Sequence, residues 1–277
     1  MHEVNATNLD EFFDRLTQGD GDAEADLRSL AIAYEQIDQM PAEHAHRLLH
    51  YMDFLAPSDP IKTNQDLSEL AVRALDSASS ILDSVQVVAL SPDEERLLSG
   101  IGTLTVNLHR YDPNLLLSPV LALLDEIYES FLESSQSTRR ALLIAYTSTL
   151  EALASMPKLG ELQQQVDVYL TNSIPRIDLL TEDESIEYQI WGWSIFVSLD
   201  HGNWREKVLS LIPELTKSRW SPDEKWALIT QLLRREVAWT DPVIADAISK
   251  LDLSRLDPLE ARDISFIQEE INSSRSQ

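Results

Sequence analysis

Ser91-Pro92-Asp93-Glu94 and Ser221-Pro222-Asp223-Glu224 are one tetrapeptide written twice in a chain of 277 residues. The residues after the two copies differ, Glu95-Arg96-Leu97-Leu98 in one case and Lys225-Trp226-Ala227-Leu228 in the other, so a duplicated functional motif is a poor explanation. A helix start is a better one. A serine ahead of a helix accepts a hydrogen bond from the unpaired N–H groups of the first turn, and a proline at the next position sacrifices no donor that the helix could use. A glutamate three residues after the serine can bond back to the serine's own N–H, completing a capping box. Thr181…Glu184 fits the same box. Seven of the twelve prolines follow directly on Asp or Ser: Asp59-Pro60, Ser91-Pro92, Asp112-Pro113, Ser118-Pro119, Ser221-Pro222, Asp241-Pro242 and Asp257-Pro258.

Working outward from these starts, amphipathic periodicity predicts helices over 8–18, 23–39, 41–56, 64–89, 92–109, 119–134, 138–155, 158–173, 182–200, 203–217, 222–238, 242–250 and 258–273. Glycine is scarce, at seven residues, and no strand–helix alternation is present. The expected fold class is all-α, with short loops making successive helices antiparallel neighbours. Starts near 92, 138, 182 and 222 recur at HEAT-like lengths. Over residues 92–273 the chain thereby resembles HEAT and armadillo helical-repeat proteins, in period and punctuation rather than residue by residue. The resemblance implies antiparallel hairpins stacked as a right-handed α-solenoid; a compact multi-helix bundle is the alternative. One helical domain over 1–277 is expected, divisible into an N-terminal subdomain over 1–90 and HEAT-like repeats over 91–277.

There is no cysteine, which removes disulfides, thiolate metal sites and cysteine nucleophiles. The first residues have neither the basic nor the apolar region of a signal peptide, and no apolar run is long enough to span a bilayer, so a cytoplasmic protein is expected. Net charge is −25. Such a field repels phosphate backbones and anionic membranes, and nucleic acid and membrane are therefore not expected as partners. Two readings of the charge remain: solubility, or steering of a basic protein partner.

Three of the six histidines lie between Glu43 and Asp53. Glu43, His46, His50 and Asp53 fall within about 80° of one another on a helix, a set that could hold a metal ion in a helical hydrolase. The apolar residues Ala45, Leu48, Leu49, Met52 and Leu55 centre on the opposite side, so the set is expected to face water, and no cofactor is expected. Asp200-His201 reads as turn chemistry. Ser99-Gly100-Ile101-Gly102-Thr103 lacks the strand and the lysine of a phosphate loop, and the Asp-Asp-x-x-Asp magnesium pattern of helical prenyl-transferring enzymes is absent.

All six tryptophans lie between 191 and 239. In the same region, residues 203–235 carry seven basic groups against four acidic ones, while residues 1–100 carry 20 acidic and 6 basic groups. Trp226 with Ile229, Leu233 and Val237 reads as a buried stripe, as does Trp191 with Ile195 and Leu199. Trp193, Trp204, Trp220 and Trp239, with Arg205, Arg219, Arg234 and Arg235, form the candidate partner-binding set, because Trp and Arg dominate interface hot spots. The competing reading is internal packing, with arginine stacked over tryptophan. The function expected is that of a non-enzymatic protein-binding module that docks or masks a basic partner, as an inhibitor or immunity-type protein or a scaffold. A metal-dependent helical hydrolase built on His46 and His50 is the alternative.

Overall fold

The computed structural model describes residues 23–55, 65–85, 90–106, 108–156, 160–181, 186–198, 203–217 and 220–274. Every regular element among them is helical: α1 (Ala23–Glu35), α2 (Ala42–Leu55), α3 (Gln65–Ser84), α4 (Pro92–Thr105), α5 (Pro113–Glu133), α6 (Gln136–Ser155), α7 (Gly160–Thr181), α8 (Ile186–Ser198), α9 (Trp204–Leu211), α10 (Pro222–Ala227), α11 (Glu236–Thr240), α12 (Pro242–Ser249) and α13 (Pro258–Ser274). The expected helix over 8–18 lies outside the described residues.

Both Ser-Pro-Asp-Glu copies are capping boxes. Ser91 Oγ accepts from the Glu94 N–H at 3.3 Å while the Ser91 N–H donates to Glu94 Oε2 at 2.7 Å; the matching distances at Ser221 and Glu224 are 3.2 and 2.6 Å. Asp112 and Asp241 cap α5 and α12. Asp257 accepts from the N–H groups of Leu259 and Glu260 ahead of α13, and Glu260 Oε2 accepts from the Asp257 N–H in return. Each such cap contributes about 1 kcal/mol.

Two expected starts are corrected. Ser118-Pro119 lies inside α5, which begins one turn and a half earlier at Asp112-Pro113. The buried residues Leu116, Leu117, Val120, Leu123, Leu124 and Ile127 run past the proline without interruption, and packing of that face outweighs an interior-proline cost of about 3 kcal/mol. Thr181 ends α7 instead of opening a helix, and α7 carries Pro175 in its interior. The single helix expected over 222–238 is also broken. After α10 it widens into a π-turn over Leu228–Leu233, with the Arg234 N–H donating to the Ile229 carbonyl at 2.9 Å, and then restarts as α11.

The helices cluster into two units, residues 1–170 and 171–277. In the first unit the even helices form one layer, α2 on α4 and α4 on α6, and the odd helices a second, α1 on α3 and α3 on α5. Helices on both sides of residue 90 therefore pack together. Gly100 and Gly102 make the even layer close: a Cβ on Gly100 would lie 2.9 Å from Leu49 Cδ1, and one on Gly102 would lie 3.6 Å from the Ala145 Cα. Buried tyrosines tie the layers. Tyr34 Oη donates to the Leu48 carbonyl at 2.8 Å and Tyr111 Oη to the Met52 carbonyl at 2.9 Å. Burial, helped by the neighbouring Tyr111 and Tyr51, pushes the Tyr34 hydroxyl pKa well above its ordinary value, so it remains a donor.

In the second unit α8 packs on α10 and the π-turn, and α11, α12 and α13 pack on one another. Its core holds Ile190, Phe196, Trp204, Leu228, Leu232, Ile244, Ile248, Ile264 and Ile267. No helix among the described residues is long and apolar enough to cross a membrane.

Candidate functional site

The tryptophan- and arginine-containing segment is built from α8, α9, α10 and the π-turn. Trp204 opens α9 and is completely buried, so its ring is a core residue and does not face a partner. Arg205 lies with its guanidinium 4.6 Å from the centre of that ring, and its Nε donates to Asp241 Oδ2 at 2.7 Å. Burial raises the Asp241 carboxyl, but the Arg205 hydrogen bond, with the N–H groups of Ile244 and Val243, holds it below the usual carboxylate range. One carboxylate thus caps α12 and anchors Arg205.

Four further cations of the segment are also paired with carboxylates. Lys207 ion-pairs with Asp178 and places its ammonium 4.6 Å above the Trp193 ring and 5.5 Å above that of Phe196. The half-buried Trp193 has an Nε1 with no hydrogen-bond acceptor among the described residues. Lys217 pairs with Glu214 at 2.6 Å. Lys225 reaches Glu260 at 3.3 Å, both side chains being largely buried, and Arg234 reaches Asp263 at 3.1 Å. Arg235 donates to the Gln231 carbonyl. Trp220 and Trp239 are half-buried; Arg219 lies outside the described residues. Five of the seven basic groups of residues 203–235 are thus paired with carboxylates of the same unit, while Arg235 bonds a backbone carbonyl.

Trp226 corrects the core expectation. It is 48% exposed. Ile229 and Leu233 are buried and Val237 half-buried, as that stripe expects, but at its start Ala227 and Leu228, at the junction of α10 and the π-turn, are buried and Trp226 is not. Sequence reading also overlooked Glu260 and Asp263, both buried on α13. Asp257-Pro258-Leu259-Glu260 is a further capping box and signals Glu260 locally; nothing local signals its pairing with Lys225.

The histidine set lies on α2. Ala45, Leu48, Leu49 and Met52 are buried, as the pattern predicts. His46 is turned toward α4 instead of facing open water: it is half-buried and its Cδ2 would lie 3.3 Å from a Cβ at Gly100. Burial, then the charges of His50 and Arg96, hold its pKa below the ordinary histidine value. Arg96 beside His46 opposes a divalent cation. Glu43 is exposed, and the Asp53 side chain is outside those described. Among the described residues no three His, Asp or Glu side chains gather in a metal-holding arrangement. Asp200-His201 also lies outside the described residues.

No protein-family model matches this chain. Neither a curated protein nor a solved structure matches it at a significant level.

Proposed function

We propose that the chain is a non-enzymatic, acidic helical-repeat protein that docks on or masks a basic protein partner, as an inhibitor or immunity-type protein or as a scaffold. The observation that carries this reading is the net charge of the chain, −25, with the cations of the second unit paired internally instead of gathered in a basic patch. Arg205, Lys207, Lys217, Lys225 and Arg234 are paired one to one with Asp241, Asp178, Glu214, Glu260 and Asp263, so these five cations do not form a separate basic patch, and the −25 net charge, which already counts them, stays acidic. The first unit contains 28 acidic and 10 basic residues, a net of −18. A field of this sign accelerates encounter with a basic surface and discourages acidic ones. Alternation of odd and even helix layers in the first unit supports a HEAT-like stack of antiparallel hairpins. The cysteine-free sequence suits the reducing cytoplasm.

The test is capture by the immobilised full chain from an extract of its native host, at about 50 mM salt with stepwise elution. The reading expects basic proteins that leave the column as salt approaches physiological strength. Retention of acidic proteins only, or binding indifferent to salt, contradicts it.

A further inference from the structure

In the first unit, α1 and the 3-10 turn after it (Ile37–Gln39) lie against α3 and leave a groove between them. On α3 the groove wall is one stripe, Asp66, Glu69, Arg73, Asp76 and Ser80, at spacings i, i+3, i+7, i+10 and i+14. At the rise of an α-helix that stripe is about 21 Å long. Two hollows of about 230 Å³ each occupy the groove, one on either side of Arg73. The half-buried Leu27 and Ala31 line the floor of one, with Leu70 beneath them, while Tyr34 and Ile37 lie almost fully buried under the other, so the lining is mixed polar and apolar. Five carboxylates, Glu35, Asp38, Asp66, Glu69 and Asp76, stand against two guanidinium groups, Arg28 and Arg73. Arg73 crosses to Glu35, and both side chains of that pair are about half exposed, so exchanging this internal cation for an incoming one costs little. Asp38 and Asp76 are exposed and have no cationic partner among the described residues.

A mixed floor, with Leu27 and Ala31 partly exposed, between carboxylate walls suits an amphipathic segment that is chiefly basic with a short apolar edge, the helix-in-groove mode of recognition. We propose that this groove takes a basic amphipathic helix of the partner, of about 14 residues by the length of the stripe. Charge argues against the occupants closest at hand. Residues 1–22 of this chain carry six acidic groups and one basic group, and a second copy brings another −25.

The proposal rests on the basic-partner reading and refines it to one surface, so its test uses defined peptides in place of captured protein. A fluorescent Leu/Lys helical peptide of about 14 residues, and a Leu/Gln peptide of the same pattern, are titrated with the full chain at about 50 mM salt. The Leu/Lys peptide is expected to bind and the Leu/Gln peptide to bind far more weakly. The pair Asp38→Asn and Asp76→Asn is expected to weaken Leu/Lys binding about tenfold. The pair Glu269→Gln and Glu270→Gln removes the same charge from exposed positions of α13 and is expected to change it less than about twofold. Equal effects from both pairs, or none from either, overturn the groove while leaving attraction to a basic partner intact. Equal binding of both peptides, or none of the Leu/Lys peptide, overturns it as well, and the capture experiment then decides the broader reading alone.

Discussion

Removing Lys225 tests the claim that the basic groups of the second unit serve its own fold. Lys225 and Glu260 have side chains only 14% and 6% exposed, with Nζ 3.3 Å from Oε2. Lys225→Met leaves the Glu260 carboxylate in that position with the Asp257 N–H at 3.3 Å as its remaining described hydrogen bond. Stranding one member of a buried pair costs about 3–5 kcal/mol, and the residual exposure of Lys225 favours the lower end, about 3 kcal/mol. Glu260→Gln should cost less, about 1–2 kcal/mol. The amide still bonds back to Asp257, and the lysine stem lets the ammonium move toward water. The double variant, with neither charge left, should lie within about 1 kcal/mol of the parent. All six tryptophans lie between residues 191 and 239, so tryptophan fluorescence during urea unfolding reports on the second unit. At about 2 kcal/mol per molar urea, Lys225→Met moves the midpoint down by about 1.5 M, and adding Glu260→Gln brings most of it back. A shift below about 0.5 M for Lys225→Met, or a double variant as unstable as the two singles summed, refutes the reasoning.

Gly102→Ala should stabilise the first unit by up to about 1 kcal/mol, since its Cβ meets only ordinary contacts, the nearest at 3.6 Å. Gly100→Ala gains the same propensity but drives a Cβ to 2.9 Å from the fully buried Leu49; it should melt several degrees below Gly102→Ala, as overpacking costs about 1–3 kcal/mol. Replacing Ser91 or Ser221 with alanine removes a capping box and should cost about 1 kcal/mol each, read as a lowered urea midpoint. For pH, burial holds the pKa values of both His46 and His109 below the ordinary histidine value, with the Val106 carbonyl partly opposing the shift at His109. Below about pH 6.5 the unfolded chain therefore binds more protons at these positions than the folded one. Relative to the variant with both changed to glutamine, the parent should lose stability as pH falls from about 7.5 to about 5. A stability difference that does not vary with pH contradicts the assignment.

The parts of the fold written in local chemistry were legible. Ser91, Asp112, Ser221, Asp241 and Asp257 cap helices because each needs only the next three residues to do so. Pro119, Pro175 and the π-turn were not legible, because packing from elsewhere in the chain overrides local preference there. The candidate site was less legible still. Arg205 and Asp241 are 36 residues apart, Lys225 and Glu260 are 35 apart, and Arg234 and Asp263 are 29 apart. A local count of seven bases against four acids cannot anticipate pairings at such separations. Trp204 and Trp226 exchanged their expected environments for a related reason. A ring beside a charged residue near a helix end reads as exposed, yet Trp204 is buried under Arg205. A ring on an apolar stripe reads as buried, yet Trp226 is exposed while its stripe-mates Ile229 and Leu233, inside the π-turn, are buried.

The most direct test of the central claim is the association rate of the full chain with a partner recovered by capture, measured across ionic strength. Steering by the acidic field predicts that the rate constant falls at least about tenfold between about 20 and 150 mM salt while the dissociation rate changes little. A rate constant that stays flat over that range contradicts the account.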